Sequence, residues 1–283
     1  FELAIADLQQ AADLFKPTHE RTGGVDGWVS LEVSPNLAND TQGTIEQALE
    51  LHAKAKRPNL HIKVPGTPEG LPAIEERTAR GISVNVTLLF SSDQYLDAAE
   101  AYLRGLERRH REGKSLRVES GASVFISRWD RKTADRLPPS LKNRLGVAIG
   151  MECYRAYADR YATDRFLRLQ NAGARPQRLL FASTSTKDPR LANTFYVTEL
   201  SAGRTVNTMP EETLLAFQDH GRVEDMLRHD GGDAHRILGD CEKAGVSIKA
   251  TAEQLQLEGR DAFKRSWDDL LEQIRSKSSA LVH

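Results

Sequence analysis

What most narrows the fold of this chain is a series of short strands that keep one side polar. In Trp28-Val29-Ser30-Leu31-Glu32-Val33-Ser34-Pro35, the apolar Val29, Leu31 and Val33 alternate with Ser30, Glu32 and Ser34. Ile62 and Val64 likewise oppose His61 and Lys63, and Val84, Val86 and Leu88 oppose Ser83, Asn85 and Thr87. A period of two marks strands with unlike faces. Helical spacing fills the intervals, predicting helices from residue 1 to a stop at Lys16-Pro17, at 44–56, after Thr67-Pro68-Glu69, and at 92–111, 142–173, 211–217, 234–244 and 252–273. Three further strands are expected at 122–128, 178–187 and 204–210. Six strands alternating with helices imply parallel pairing through right-handed crossovers. An open parallel sheet with both faces covered would be almost continuously apolar. Here one face collects Ser30, Glu32, Lys63, Asn85, Thr87, Ser127, Ser183, Ser185, Lys187 and Asn207. A closed α/β barrel with a polar lumen accounts for this better, and in such barrels the reacting groups stand at the carboxyl ends of strands.

Lys63 carries the sharpest chemistry. It lies between Ile62 and Val64 in a strand that stops at Pro65-Gly66. Burial disfavours an ammonium and can lower a lysine pKa by several units, which makes the amine a nucleophile toward a carbonyl. The bland alternative is a side chain snorkelling from a strand end into water. The acids, amides and hydroxyls on the same face favour a Schiff base. His61 reads as a packed polar neighbour, and Arg108-Arg109-His110-Arg111 as the solvated end of a helix, where cations suit the dipole.

Charge and cysteine usage exclude several function classes. Lys plus Arg (39) nearly cancels Asp plus Glu (40), so no global field attracts nucleic acid or an anionic membrane. Cys153 and Cys241 are far apart with no ligand-like spacing, which fits a reducing, cytoplasmic compartment and argues against structural zinc. No metal site or cofactor is expected. No apolar run reaches membrane-spanning length. The 283 residues fit one barrel domain, 1–283. Oligomeric state, a homo-oligomer included, is left open.

Several segments, in this order, resemble the transaldolase family, specifically its longer bacterial type. They are Ser30-Leu31-Glu32-Val33-Ser34-Pro35 with Asp40-Thr41, Ile62-Lys63-Val64-Pro65-Gly66-Thr67-Pro68-Glu69-Gly70, Gly81-Ile82-Ser83-Val84-Asn85-Val86-Thr87-Leu88-Leu89-Phe90-Ser91, Ala182-Ser183-Thr184-Ser185-Thr186-Lys187 and Asn207-Thr208-Met209-Pro210. The resemblance implies a (β/α)8 TIM barrel of class I aldolase type. It also implies transfer of a dihydroxyacetone unit between sugar phosphates: sedoheptulose 7-phosphate and glyceraldehyde 3-phosphate give erythrose 4-phosphate and fructose 6-phosphate, in the pentose phosphate pathway. Lys63 matches the Schiff-base lysine, and Glu32 and Thr87 match the pair that holds a catalytic water. Asn85 matches a substrate-contacting amide. For Glu32 the alternative is an ion pair of structural value, and for Asn85 a satisfied barrel amide. Ser127, Arg128, Ser185 and Lys187 are the substrate-binding candidates at the phosphate end, with Arg131 and Arg190 as competitors.

The resemblance also carries departures. The family pattern has two further strands before the helix that opens this sequence, the first bearing an aspartate that acts in carbon–carbon cleavage. No Asp here takes that role, so the expectation is a barrel incomplete at the N-terminus, with slow cleavage even if the imine forms. Gly121 stands where the family usually has a β-branched residue. Rival readings are a related Schiff-base sugar-phosphate aldolase and a non-catalytic sugar-phosphate-binding barrel. Fusion to a glucose-6-phosphate isomerase module, known in this branch, is left open by the sequence.

Overall fold

The computed structural model describes residues 1–281. Six strands, β1 (Val29–Glu32), β2 (Leu60–Pro65), β3 (Val84–Leu89), β4 (Ser120–Phe125), β5 (Arg178–Ala182) and β6 (Val206–Asn207), form one sheet. Every pair is parallel, and the spatial order is the chain order. The helices are α1 (Glu2–Arg21), α2 (Thr41–Ala55), α3 (Leu71–Arg80), α4 (Ser92–Arg111), α5 (Ser127–Thr133), α6 (Leu145–Tyr161), α7 (Asp164–Asn171), α8 (Phe195–Glu199), α9 (Glu211–His220), α10 (Ala234–Lys243) and α11 (Ile248–Leu281). A doubly wound sheet reverses its order at a switch point. This sheet never does, so it winds in one direction as a barrel does. It also curls. Arg178, at the start of β5, donates through Nη1 to Val25 O (2.6 Å) and to Asp26 (3.0 Å), in the segment leading into β1. Four strand spacings in a flat sheet would hold these groups about 19 Å apart. Among the described residues β1 and β6 do not pair with each other and remain the two edges.

The register separates the two faces. Leu31, Ile62 and Val84 form one outward row, Val64, Val86, Ala122 and Leu179 another, and Leu89, Val124 and Phe181 a third, all buried under helices. Burying side chains of this size contributes about 1.5–3 kcal/mol each, apart from the smaller alanine. The inward row runs Glu32, Lys63, Asn85, Gly121 and Arg178. Outside, α3 and α4 approach closely because Gly105 lacks a side chain; a Cβ there would lie 2.7 Å from Glu75 O.

Several expected elements change. Helix α1 continues through Pro17 to Arg21, since a proline inside an exposed helix forfeits one donor and strains one turn without stopping the chain. The expected helix at 142–173 breaks after Tyr161, and Thr163 caps the second piece by accepting from Phe166 N (3.4 Å). The strand expected to run to 128 ends at Phe125, so Ser127 and Arg128 open α5. Strand β5 ends at Ala182 because Ser183 takes a left-handed backbone (φ +57°), and Ser183, Ser185 and Lys187 lie on the loop that follows. Asn207 pairs in register with Phe181, which places it on the helix-facing row instead of the lumen. The arginines closing α4 are more than solvated: Arg108 bonds Glu75 and Glu76, and Arg109 donates to Ala79 O and Ser115 O, tying α4 to α3.

Candidate active site

Parallel register sets Glu32 beside Lys63 and Lys63 beside Asn85. Lys63 Nζ donates to Glu32 Oε2 at 3.0 Å, and the two side chains are 22% and 28% exposed. The amine is therefore neither desolvated among apolar groups nor free in bulk water. Glu32, rather than dry burial, is the group positioned to act on its proton. The ring of Phe263, from α11, lies 5.4 Å from Nζ, and Phe263 meets Phe125 edge-on at 6.4 Å. A crevice of about 10 Å³ between Glu32, Pro65, Leu88 and Phe263 has room for roughly one water.

Thr87 is fully buried, and its Oγ1 has no partner among the described residues. A buried hydroxyl left unbonded costs about 1–3 kcal/mol, so this one suits a bond to something outside the chain. Asn85 is partly committed: Nδ2 donates to Ser30 Oγ (3.3 Å), and Oδ1 accepts from Ser123 Oγ (2.9 Å). One amide hydrogen remains for a ligand. Below it the lumen holds a cavity of about 250 Å³ lined by Ser30, His61, Asn85, Arg178 and Thr208. His61 stacks on Trp28 at 4.3 Å, and burial pushes its pKa down to about 3, so it is a neutral packing residue.

The phosphate candidates separate. Arg128 lies over Phe125 (4.7 Å) and Phe90 (6.0 Å), and among the described residues no carboxylate pairs with it. Burial, then repulsion from Arg131, lowers its pKa. Ser127 Oγ and Ser183 Oγ share a hydrogen bond of 3.0 Å. Lys187 and Arg131 are exposed, Ser185 is half-buried on its loop, and Arg190 is held by Asp188 at 2.6 Å. Among the described residues no group of three or more His, Cys, Asp or Glu could hold a metal ion, and no helix is long and apolar enough to cross a membrane.

The family model described as Transaldolase/Fructose-6-phosphate aldolase matches residues 1–274. This chain belongs to the transaldolase family. It is 44% identical over 284 residues to the transaldolase of Parafrankia sp. (strain EAN1pec) and 45% over 285 to that of Thermobifida fusca (strain YX), covering 97% of this chain and 77% of each relative. Transaldolase 2 of Streptomyces coelicolor is 41% identical over 289 residues, 99% of this chain and 78% of that protein. Transaldolases are transferases built as (β/α)8 barrels, and the singly wound, curled sheet is an arc of that architecture. The transaldolase segments that the sequence singled out supply Lys63, Glu32, Thr87 and Asn85 to one inward face. What sequence reasoning missed is the contribution of α11, where Gln256, Gly259 and Phe263 share one face against the strand ends. The available signal was a glycine inside a long helical pattern, which marks close packing.

Proposed function

We propose that this protein moves a dihydroxyacetone unit from a ketose phosphate to an aldose phosphate through an imine on Lys63. The observation that carries this reading is the 3.0 Å contact between Lys63 Nζ and Glu32 Oε2 beside the hydroxyl of Thr87, which has no partner among the described residues. In the proposed course, Glu32 takes a proton from Lys63 and the free amine attacks the ketose carbonyl carbon, giving a carbinolamine. A water held by Glu32 and Thr87 returns the proton to the departing hydroxyl, which leaves as water, and the iminium forms. The C4 hydroxyl then gives its proton to the water at Glu32, a step slowed by the lack of a dedicated aspartate. The bond between the third and fourth carbons breaks, and the shortened aldose phosphate leaves with a new carbonyl at its first carbon. The bond's electron pair passes into the iminium to leave the three-carbon unit as an enamine on nitrogen. The enamine adds to the carbonyl carbon of the incoming aldose phosphate, whose oxygen takes that proton back as the iminium re-forms, and addition of water to the iminium frees the new ketose phosphate and the Lys63 amine. Asn85 holds substrate hydroxyls near the amine, and Arg128 receives the phosphate, since a guanidinium offers charge and a planar fork of donors. Ser127, Ser185 and Lys187 complete that end. This chemistry belongs to sugar-phosphate interconversion in the pentose phosphate pathway, in the cytoplasm.

Borohydride in the presence of fructose 6-phosphate tests the reading. The expected result is a mass increment on the peptide containing Lys63, absent in Lys63→Met, together with turnover of sedoheptulose 7-phosphate and glyceraldehyde 3-phosphate. Wild-type protein that gains no mass at Lys63 overturns it.

A further inference from the structure

We infer that Gln256 of α11 is a positioning residue for this reaction: its amide clasps the carboxyl ends of β2 and β3 and so aims Thr87 and Lys63. The inference rests on Lys63 being the imine former. Gln256 is buried, and its Nε2 donates both to Gly66 O at 3.1 Å and to Leu88 O at 2.9 Å. Gly66 follows the last residue of β2, and Leu88 follows Thr87. Gly66 N in turn donates to Thr87 O at 2.7 Å, so the amide closes a ring that joins the two strands just beyond Lys63.

The clasp falls where the backbone is strained. Leu88 is left-handed, at φ +62°, and the register slips there: Val86 pairs with Ala122 but Leu89 with Val124. A bulky residue holds this conformation only where its surroundings over-determine it. The two bonds from Gln256 supply that constraint, and the displaced peptide lies next to the buried hydroxyl of Thr87. Helix α11 comes close enough because residue 259 is glycine; a Cβ there would stand 3.0 Å from Leu88 Cδ2 and 3.1 Å from Arg128 Nη1. Another turn along, Phe263 covers Lys63. Residues 256, 259 and 263 share a helix face by their spacing, so one anchoring amide fixes the wall of the site as well as its floor.

Gln256→Leu removes both donors at similar volume. The expected result is a kcat about 10- to 100-fold lower with KM for the ketose phosphate within about threefold, because small misplacement of reacting groups is costly while binding contacts survive. Gln256→Glu tests the donor directly. An ionised carboxylate cannot donate, whereas a protonated one can, and burial raises its pKa. Its activity relative to wild type is therefore expected to rise about tenfold between about pH 8 and about pH 5.5. A merely structural role would lower the melting temperature and the fraction of sites trapped by borohydride, leaving kcat per trapped site unchanged and the pH ratio flat. That pattern overturns the inference, as does Gln256→Leu with wild-type kcat. Wild-type protein that traps nothing on Lys63 overturns the underlying reading and the inference together, which separates the two failures.

Discussion

Thr87 and Arg77 both bury polar atoms that bond nothing among the described residues, yet their removal should act on different properties. Thr87→Val keeps the β-branched shape and discards only a hydroxyl that makes no protein hydrogen bond. The urea midpoint should therefore hold or rise, while turnover falls about 100-fold through loss of the water-holding partner. A coupled assay alongside denaturation checks this, and equal losses in both would mean that the hydroxyl serves the fold. Arg77 is fully buried in α3, and none of its three guanidinium nitrogens is bonded among the described residues. Burial, then repulsion from Arg80, lowers its pKa to about 10. The folded value lies below the unfolded one, so the penalty is carried at every pH below about 10. Arg77→Leu is expected to add about 1–4 kcal/mol to the unfolding free energy without changing kcat; a lower urea midpoint would show that the guanidinium has a partner. Lys63 and Glu32 were legible in sequence because strict alternation puts both on one face and register does the rest. Arg77 was not, because Glu75-Glu76-Arg77-Thr78-Ala79-Arg80 has the charge pattern of a solvated helix surface and only packing against its neighbours buries the third position.

At the scale of elements, strand cores were readable and their ends were not. Val124-Phe125-Ile126 is apolar enough to extend β4, but the backbone turns into the helical region at Ile126, and Arg128 enters the first turn of α5. On β5 the left-handed Ser183 ends the strand early, although serine gives little warning of it. These endings sort the candidates for phosphate binding. Arg128 is held by two aromatic rings and is unpaired among the described residues, whereas Lys187 is exposed on a loop. Arg128→Gln is expected to raise KM for phosphorylated ketoses about 10- to 100-fold and leave unphosphorylated fructose nearly unaffected. Lys187→Gln should change KM less than about threefold, as an exposed and strongly hydrated ammonium predicts. Steady-state kinetics with the paired substrates decides, and a reversed ranking would transfer the phosphate to the loop.

For the molecule as a whole, the cadence of strand and helix fixed the winding, since six parallel strands in chain order need no switch point. The polar inward face was legible on β1 to β3 for the same reason, but Ser127 lies on α5, Ser183, Ser185 and Lys187 lie on the loop after β5, and Asn207 faces the helices from a two-residue strand too short to orient by pattern. The lumen also shapes how the fold responds to acid. His61 lies inside it against Trp28, and burial foremost, then the charges of Arg178 and His19, lowers its pKa from 6.5 to about 3. Between those values the unfolded chain binds a proton that the folded chain refuses, so stability falls as pH drops through that window. The slope is at most about 1.4 kcal/mol per pH unit from one such group. His52, lowered mainly by burial, acts in the same sense. Asp130 and Glu119 act in the opposite sense: burial raises both, so the folded state takes up their protons first and gains stability as pH falls toward the ordinary carboxylate range. Both carboxylates are common to the wild type and a His61 variant, so comparing the two between about pH 6.5 and about pH 5 isolates the histidine. His61→Phe keeps an aromatic ring stacked on Trp28 and removes the titration. Urea midpoints measured across that interval should decline more steeply for the wild type than for the variant, and parallel curves would mean that water or a neighbouring group accepts the His61 proton inside the fold.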